Sequence, residues 1–302
     1  QEALDLHVEI TPEMARFLRS QSFDQYTSQG WKLNVEGDVP IAPNERIDAP
    51  EETIDGARKD VVINVTVKGN DDGELFSLGQ PVESSRGTTA NSATVPGDVA
   101  SLEPARRLRD GDTYSVTGSV VTASIDQLRA AGDDYPDWVT ERYLALPDQL
   151  PDRVGDKAEE VTSGANTPYD QAAALEKYLR TFPNDFRVPS TPSGRDSVDY
   201  FLFDLQRGYF DYHASAMAVM LRSLGVPARV ASGYVVDPLQ RQGDTNGYSL
   251  TEKQAYSWPE VYFPGIGWVE FHPTLTQPLI QLPGLVPDAP ASGDDDGAGD
   301  PN

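Results

Sequence analysis

The 302-residue chain sets 24 Lys and Arg against 48 Asp and Glu, a formal net charge of −24 at pH 7. This balance excludes a nucleic-acid footprint, which needs clustered Lys and Arg to neutralise phosphates. Cysteine is absent, which excludes disulfides, thiolate metal sites, iron–sulfur clusters and any cysteine nucleophile. No apolar run approaches the roughly 18 residues of a membrane span.

Within residues 1–122, alternation at 5–10, DVVINVTV at 60–67, GELFSL at 73–78 and DTYSVTGSVV at 112–121 predict strands. Clusters of Pro, Gly, Ser and Asn separate them, and 42–54 and 81–98 read as long loops. This part is expected to be a β-rich N-terminal domain. From Ser124 the texture turns helical. Ser124 caps IDQLRAAG, Pro136 opens PDWVTERYLAL, and Pro151 precedes DRVGDKAEEVTSG. The clearest helix lies at 167–182, with Thr167 at the N-cap, Pro168 at the first helical position, and Ala173, Leu175, Tyr178, Leu179 and Phe182 on one apolar face.

A Pro- and Ser-rich loop at 183–198 is longer than a plain connector needs. In HASAMAVMLRSL, 213–224, the small residues Ala214, Ser215, Ala216 and Ala218 predict a central helix that neighbours approach closely. Gly225 supplies its left-handed cap, with Pro227 just beyond. ARVASGYVV, YSLTEK, SWPEVYFP and GWVEFHPT then read as successive strands, with a glycine-rich turn at 243–247. A helix lying on an antiparallel meander is an α+β layout. Residues 123–283 thus form a helical lead-in and a helix-plus-antiparallel-sheet domain. Residues 284–302, with five Asp and no basic residue, read as a disordered acidic tail. Gln1 at the start and this tail imply a piece excised from a longer protein.

The stretch RGYFDYHASAMAVMLRSLGVPARVASGY, followed by AYSWPEVYFPGIGWVEFHPT, closely resembles the core of the transglutaminase-like superfamily, a branch of the papain-like cysteine enzymes. The likeness spans residues 170–274 and includes the Gly-Val-Pro-Ala-Arg turn at 225–229. It implies a papain-like fold with a nucleophilic Cys at the head of the buried helix, a His in a His-Ala-Trp strand motif, and an Asp in an Asp-Pro-Thr motif. SFDQYTSQGWKLN at 22–34, with Tyr26, Gly30 and Trp31, resembles the extracytoplasmic part of bacterial multi-spanning transglutaminase-like membrane proteins. That likeness implies an extracytoplasmic domain at the cell membrane, attached through segments absent from this chain.

The family reaction needs a thiolate at a helix N-terminus, an imidazole to share its proton and a carboxylate to orient the imidazole. By the resemblance, these positions are Phe210, Tyr256 and His272. Phe210 has no lone pair with which to attack a carbonyl, and no catalytic residue is expected. Phe210 is read as packing beside the helix, and Tyr256 and His272 as hydrogen-bonded to one another. Asp211, His213, Trp258 and Arg229 are candidates to line the cleft, with Arg229 in an ion pair or on carbonyls near it. Ser215 faces another way. With only His7, His213 and His272, a zinc site would need Asp211 or Glu270 to complete it; no metal and no cofactor are expected.

Three functions fit these readings. The first is a non-catalytic binding module for a peptide, cell-wall or protein partner at the cell envelope. The second is a hydrolase or transferase with chemistry rewired onto His213, Asp211, His272 and Tyr256, or assisted by metal. The third is a structural or signalling ectodomain without a ligand.

Overall fold

The computed structural model describes residues 5–9, 17–68, 73–92, 97–236 and 247–275. The expected tail at 284–302 and residues 243–246 of the glycine-rich turn lie outside them. Before the first helix run β1 (Asp5–Glu9), β2 (Phe17–Phe23), β3 (Gln25–Tyr26), β4 (Trp31–Lys32), β5 (Gly37–Ile41) and β6 (Arg58–Lys68). They are followed by β7 (Ser77–Leu78), β8 (Gln80–Ser84), β9 (Thr88–Ser92), β10 (Val99–Pro104) and β11 (Thr113–Val121). Period-two alternation makes β6: Val61, Ile63, Val65 and Val67 are buried while Val62 faces solvent.

Two local expectations are corrected here. Of the strand expected at 73–78 only β7 forms, because Leu75 N–H donates to the Leu102 carbonyl and Phe76 N–H to the Tyr114 hydroxyl, outside any ladder. Conversely, the loop expected at 81–98 contains most of β8 and all of β9. Their small polar residues enter ladders because β11 and β10 offer open edges.

The helices follow their sequence signals more closely. α1 (Ile125–Ala130) carries a capping box between Ser124 and Gln127. α2 (Asp137–Tyr143) follows Pro136, and α3 (Arg153–Val161) follows Pro151. α4 (Pro168–Leu179) is capped by the Thr167 hydroxyl, which accepts from Asp170 N–H at 3.1 Å. α5 (Ser197–Tyr200) runs into a π-helical turn at Phe201–Leu205, with Asp196 as its cap, inside and just beyond the segment expected to be a loop. α6 (Phe210–Ser223) starts three residues before the apolar pattern does. Ala214, Ala216 and Ala218 are fully buried along it, and Gly225 closes it at φ +78°.

The chain then forms β12 (Ala228–Val235), β13 (Gly247–Thr251), β14 (Ala255–Phe263) and β15 (Gly267–Glu270). β12, β14 and β15 pair in the expected antiparallel meander, but β13 leaves it and pairs with β1, Tyr248 opposite Val8. The reason is that the second edge of β12 is already taken by β2. One sheet therefore runs β15-β14-β12-β2-β10-β9-β5, with β7 also on β2, and the other β13-β1-β6-β11-β8. Residue 122 marks the passage from strands to helices, yet the ladder is continuous across the two parts.

One core surrounds α6, drawing on α1, α3, α4, α5 and β14; a second lies between the sheets around Val8, Leu18, Ile63, Val65, Leu75 and Leu102. A buried charge network joins β12, β14 and the head of β10. Arg229 meets Glu260 at 2.6 Å and Asp98 at 2.9 Å, and Arg19 approaches Glu260 at 3.5 Å. Tyr143 and Trp268 each donate a hydrogen bond to Asp98.

Candidate functional site at the head of the central helix

The first turn of α6 is fixed from the loop before it. Gly208 N–H donates to the Pro183 carbonyl and Asp185 N–H to the Gly208 carbonyl. A Cβ at Gly208 would sit 2.9 Å from Tyr212 side-chain atoms, so the close approach depends on glycine. Phe186, well exposed, stacks on Tyr209 with ring planes 6° apart and meets Phe210 edge-on.

Phe210, Tyr256 and His272 come together, but not as sequence reasoning expects. The Phe210 and Tyr256 rings are 4.9 Å apart, Tyr256 lies 5.3 Å from Phe17, and Phe17 stacks on His272 at 4.1 Å. Among the described residues no hydrogen bond joins Tyr256 to His272, so the expected bond is not made; both rings meet Phe17 instead. Burial pushes the Tyr256 hydroxyl up to about 12. From α4, the Glu176 carboxylate accepts from His272 N–H at 2.6 Å, and Arg180 donates to the carbonyls of His272 and Thr274. Phe17, Glu176 and Arg180 carry no local motif that marks them for this role.

Two clefts open beside the first turn of α6. The larger, about 580 Å³, is bordered by Gln29, Trp31, Tyr209, Tyr212 and Ser215; the smaller, about 300 Å³, by Glu74, Phe76, Phe210, Tyr234 and Tyr256. Asp211, Ser232 and Ser257 border both, so the clefts meet across them. The Ser257 hydroxyl donates to the Asp211 carboxylate. Desolvation lifts the Asp211 carboxyl above the usual carboxylate range, against the pull of that hydrogen bond.

The N-terminal hairpin supplies a wall of the larger cleft. Tyr26 donates to Asp196 at 2.9 Å, the turn closes between Thr27 and Gly30, and Trp31 Nε1 donates to Ser215 Oγ at 3.1 Å. Ser215 thus faces the opposite cleft from Phe210, as a spacing of five on a helix requires.

Of the expected cleft-lining residues only Asp211 reaches the groove. His213 is fully buried, with Nδ1 and Nε2 against the carbonyls of Tyr209 and Phe182 and the ring edge-on to Phe201. Burial holds its pKa below the ordinary value. Trp258 is sealed between Phe17 and Tyr256. Arg229 belongs to the buried charge network, where two carboxylates and the Trp268 face hold it away from the clefts. In each case the side chain lies on the inner face of its element. Among the described residues no group of three or more His, Asp or Glu is placed to hold a metal ion. A third cavity, about 510 Å³, lies between residues 46–53 and the turn joining β14 to β15, and touches none of these groups.

Residues 155–273 match the family model of the transglutaminase-like superfamily. The chain carries a transglutaminase-like domain. The Uncharacterized protein YebA of Bacillus subtilis (strain 168) is 31% identical over 274 residues, covering 85% of this chain and 37% of that protein. The Protein-glutamine gamma-glutamyltransferase of Pseudomonas aeruginosa is 34% identical over 134 residues, covering 44% of this chain and 20% of that protein. The chain therefore spans well under half the length of these curated relatives. Among solved structures, the periplasmic domain of TgpA from Pseudomonas aeruginosa shares the fold at a TM-score of 0.65 and 20% identity, over 90% of this chain and 88% of that one. The same domain bound to ethylmercury aligns at 0.63. The α+β fold expected of a transglutaminase-like domain is the fold observed.

Proposed function

We propose that this transglutaminase-like domain is a non-catalytic binding module that holds an extended peptide in the groove over α6, at the extracytoplasmic face of the cell envelope. The observation that carries the reading is the aromatic chain Phe210, Tyr256, Phe17 and His272, packed beneath an open groove in a chain without cysteine. The family reaction needs a nucleophile that attacks an amide carbonyl and a base that takes up its proton. Phenylalanine supplies neither, and among the described residues the Tyr256 hydroxyl, its pKa raised by burial, makes no hydrogen bond to an imidazole.

The groove itself favours a bound ligand over a bare spacer. Phe210 is half-buried and narrows the smaller cleft without filling it, and the larger cleft beside it is lined by hydroxyls, an amide and aromatic rings. The rewired-enzyme reading has less behind it, since His213 is enclosed in the core and His272 lies flat beneath Phe17. The fold shared with a domain described as periplasmic supports the extracytoplasmic placement.

The test is a titration of the purified chain with short acetylated, amidated peptides, followed by tryptophan fluorescence and by mass spectrometry of the peptide. Saturable binding of an intact peptide, abolished by Ser232→Phe where the two clefts meet, is the expected result. Peptide cleavage, or binding indifferent to Ser232→Phe, would overturn the reading.

A further inference from the structure

We propose that the groove selects ligands with a positively charged side chain, an ammonium or guanidinium, and that Asp211 is the residue that holds that charge where the two clefts meet. This inference rests on the binding reading above and assigns the chemistry of its ligand.

The charges of the groove are one-sided. Among the described residues that border the two clefts, Asp211 and Glu74 are the acidic groups, and none is Lys, Arg or His. Several carboxylates with enclosed side chains elsewhere in the protein are matched to arginines, Asp24 with Arg142, Asp98 and Glu260 with Arg229, Asp199 with Arg153, while Asp196 is held by the Tyr26 hydroxyl and backbone N–H groups. Asp211 differs from all of these in lying at an exposed position on the groove. Its hydrogen bond comes from the Ser257 hydroxyl, and no cation of the described residues forms an ion pair with it. A carboxylate carries about four acceptor sites, so one hydroxyl leaves most of its capacity turned to the groove. A charged ligand donor there makes a stronger bond than water or a neutral amide can, because both partners are partly removed from solvent.

Position reinforces charge. Asp211 borders both clefts, so an extended ligand crossing from Trp31 toward Phe76 must pass it whichever way it runs. Glu74 lies in the smaller cleft, where the Ser20 hydroxyl reaches it at 3.4 Å, and gives a second place for positive charge along the same path. The serine hydroxyls at 215, 232 and 257 and the rings of Trp31, Tyr209 and Tyr212 accommodate the neutral part of the ligand. The net charge of −24 adds a long-range field of the same sign.

The probes are acetylated, amidated pentapeptides of alanine with lysine, glutamine or glutamate at the centre, titrated into the full chain at low and moderate salt. The lysine peptide is expected to bind about tenfold more tightly than the glutamine peptide, with the glutamate peptide weakest and the preference shrinking as salt rises. Asp211→Asn, which keeps the side chain's size and removes its charge, is expected to equalise the lysine and glutamine peptides while both still bind. Ser257→Ala, which leaves the carboxylate in place, is expected to keep the preference. Equal binding of the lysine and glutamine peptides to the unmodified chain would overturn the charge inference and leave the binding reading intact. A lysine preference that survives Asp211→Asn would overturn the role of Asp211. Failure of all three peptides to bind would remove the groove reading and this inference with it.

Discussion

The imidazole of His272 lies flat on the ring of Phe17, with centroids 4.1 Å apart and planes 6° from parallel. Phe17 arrives on β2, which is hydrogen-bonded to β12, and the same ring packs against Tyr256 and Trp258. A phenylalanine from the N-terminal strands thus takes the space in which a base and its orienting group would have to meet.

Phe17 is therefore a structural keystone. Phe17→Ala is expected to lower the unfolding free energy by about 3–5 kcal/mol in urea titration, through lost transfer and the cavity left among three rings. Phe17→Leu, which keeps most of the volume, is expected to cost about 1.5 kcal/mol or less. Equal losses for the two would contradict the packing account.

The same geometry predicts that the chemistry cannot be restored at three positions alone. The Phe210→Cys, Tyr256→His, His272→Asp protein is expected to stay silent in an amine-incorporation assay. Phe17 still packs on both positions 256 and 272, and a carboxylate placed at the fully buried position 272 would cost several kcal/mol in desolvation. Both activity and urea stability should be measured. Full activity in the triple variant would show that Phe17 is no barrier.

Arg229 sits between two buried carboxylates, Asp98 and Glu260. Although burial opposes it, the positive charges of Arg229 and Arg19 hold the Glu260 carboxyl below its ordinary value. Arg229→Met leaves those carboxylates without their shared cation and is expected to cost about 3–5 kcal/mol in denaturant unfolding. A loss below about 1 kcal/mol, the range of an exposed pair, would contradict the network's role.

His213 gives the expected pH dependence. Burial depresses its pKa below the ordinary 6.5, so the unfolded chain takes up the proton first as pH falls. The contribution of neutral His213 is complete above 6.5 and is lost as pH drops from there toward the folded value. His213→Gln, which stays neutral, is expected to flatten the fall of the unfolding free energy as pH drops below 6.5. An unchanged slope would contradict this.

The sequence makes local features readable because their causes are local. Thr167 and Pro168 start α4, Ser124 and Gln127 box α1, and Gly225 ends α6, each through groups within four residues. Strands whose partners lie far along the chain are not legible this way. β9, with residues TTANS, has no apolar alternation and exists because β10 and β5 flank it. β13 reads as the next strand of a meander, yet it is expelled because β2 occupies the edge of β12.

The site divides along the same line. The helix head, Asp211 and the Tyr26, Gly30 and Trp31 cluster are marked by the family resemblance, although the hairpin that carries Tyr26 and Trp31 is not. The placement of Phe17, the Ser257–Asp211 contact and the inward turn of His213, Trp258 and Arg229 depend on which face each element presents after packing.

The most direct test of the central claim is one assay on the unmodified chain, with amine incorporation and peptide hydrolysis followed with and without chelator, using a peptide that titrates saturably into the groove. The account predicts binding without turnover under either condition. Turnover above the buffer control would contradict it, and chelator-sensitive turnover would place the chemistry on a metal rather than on the family's thiol.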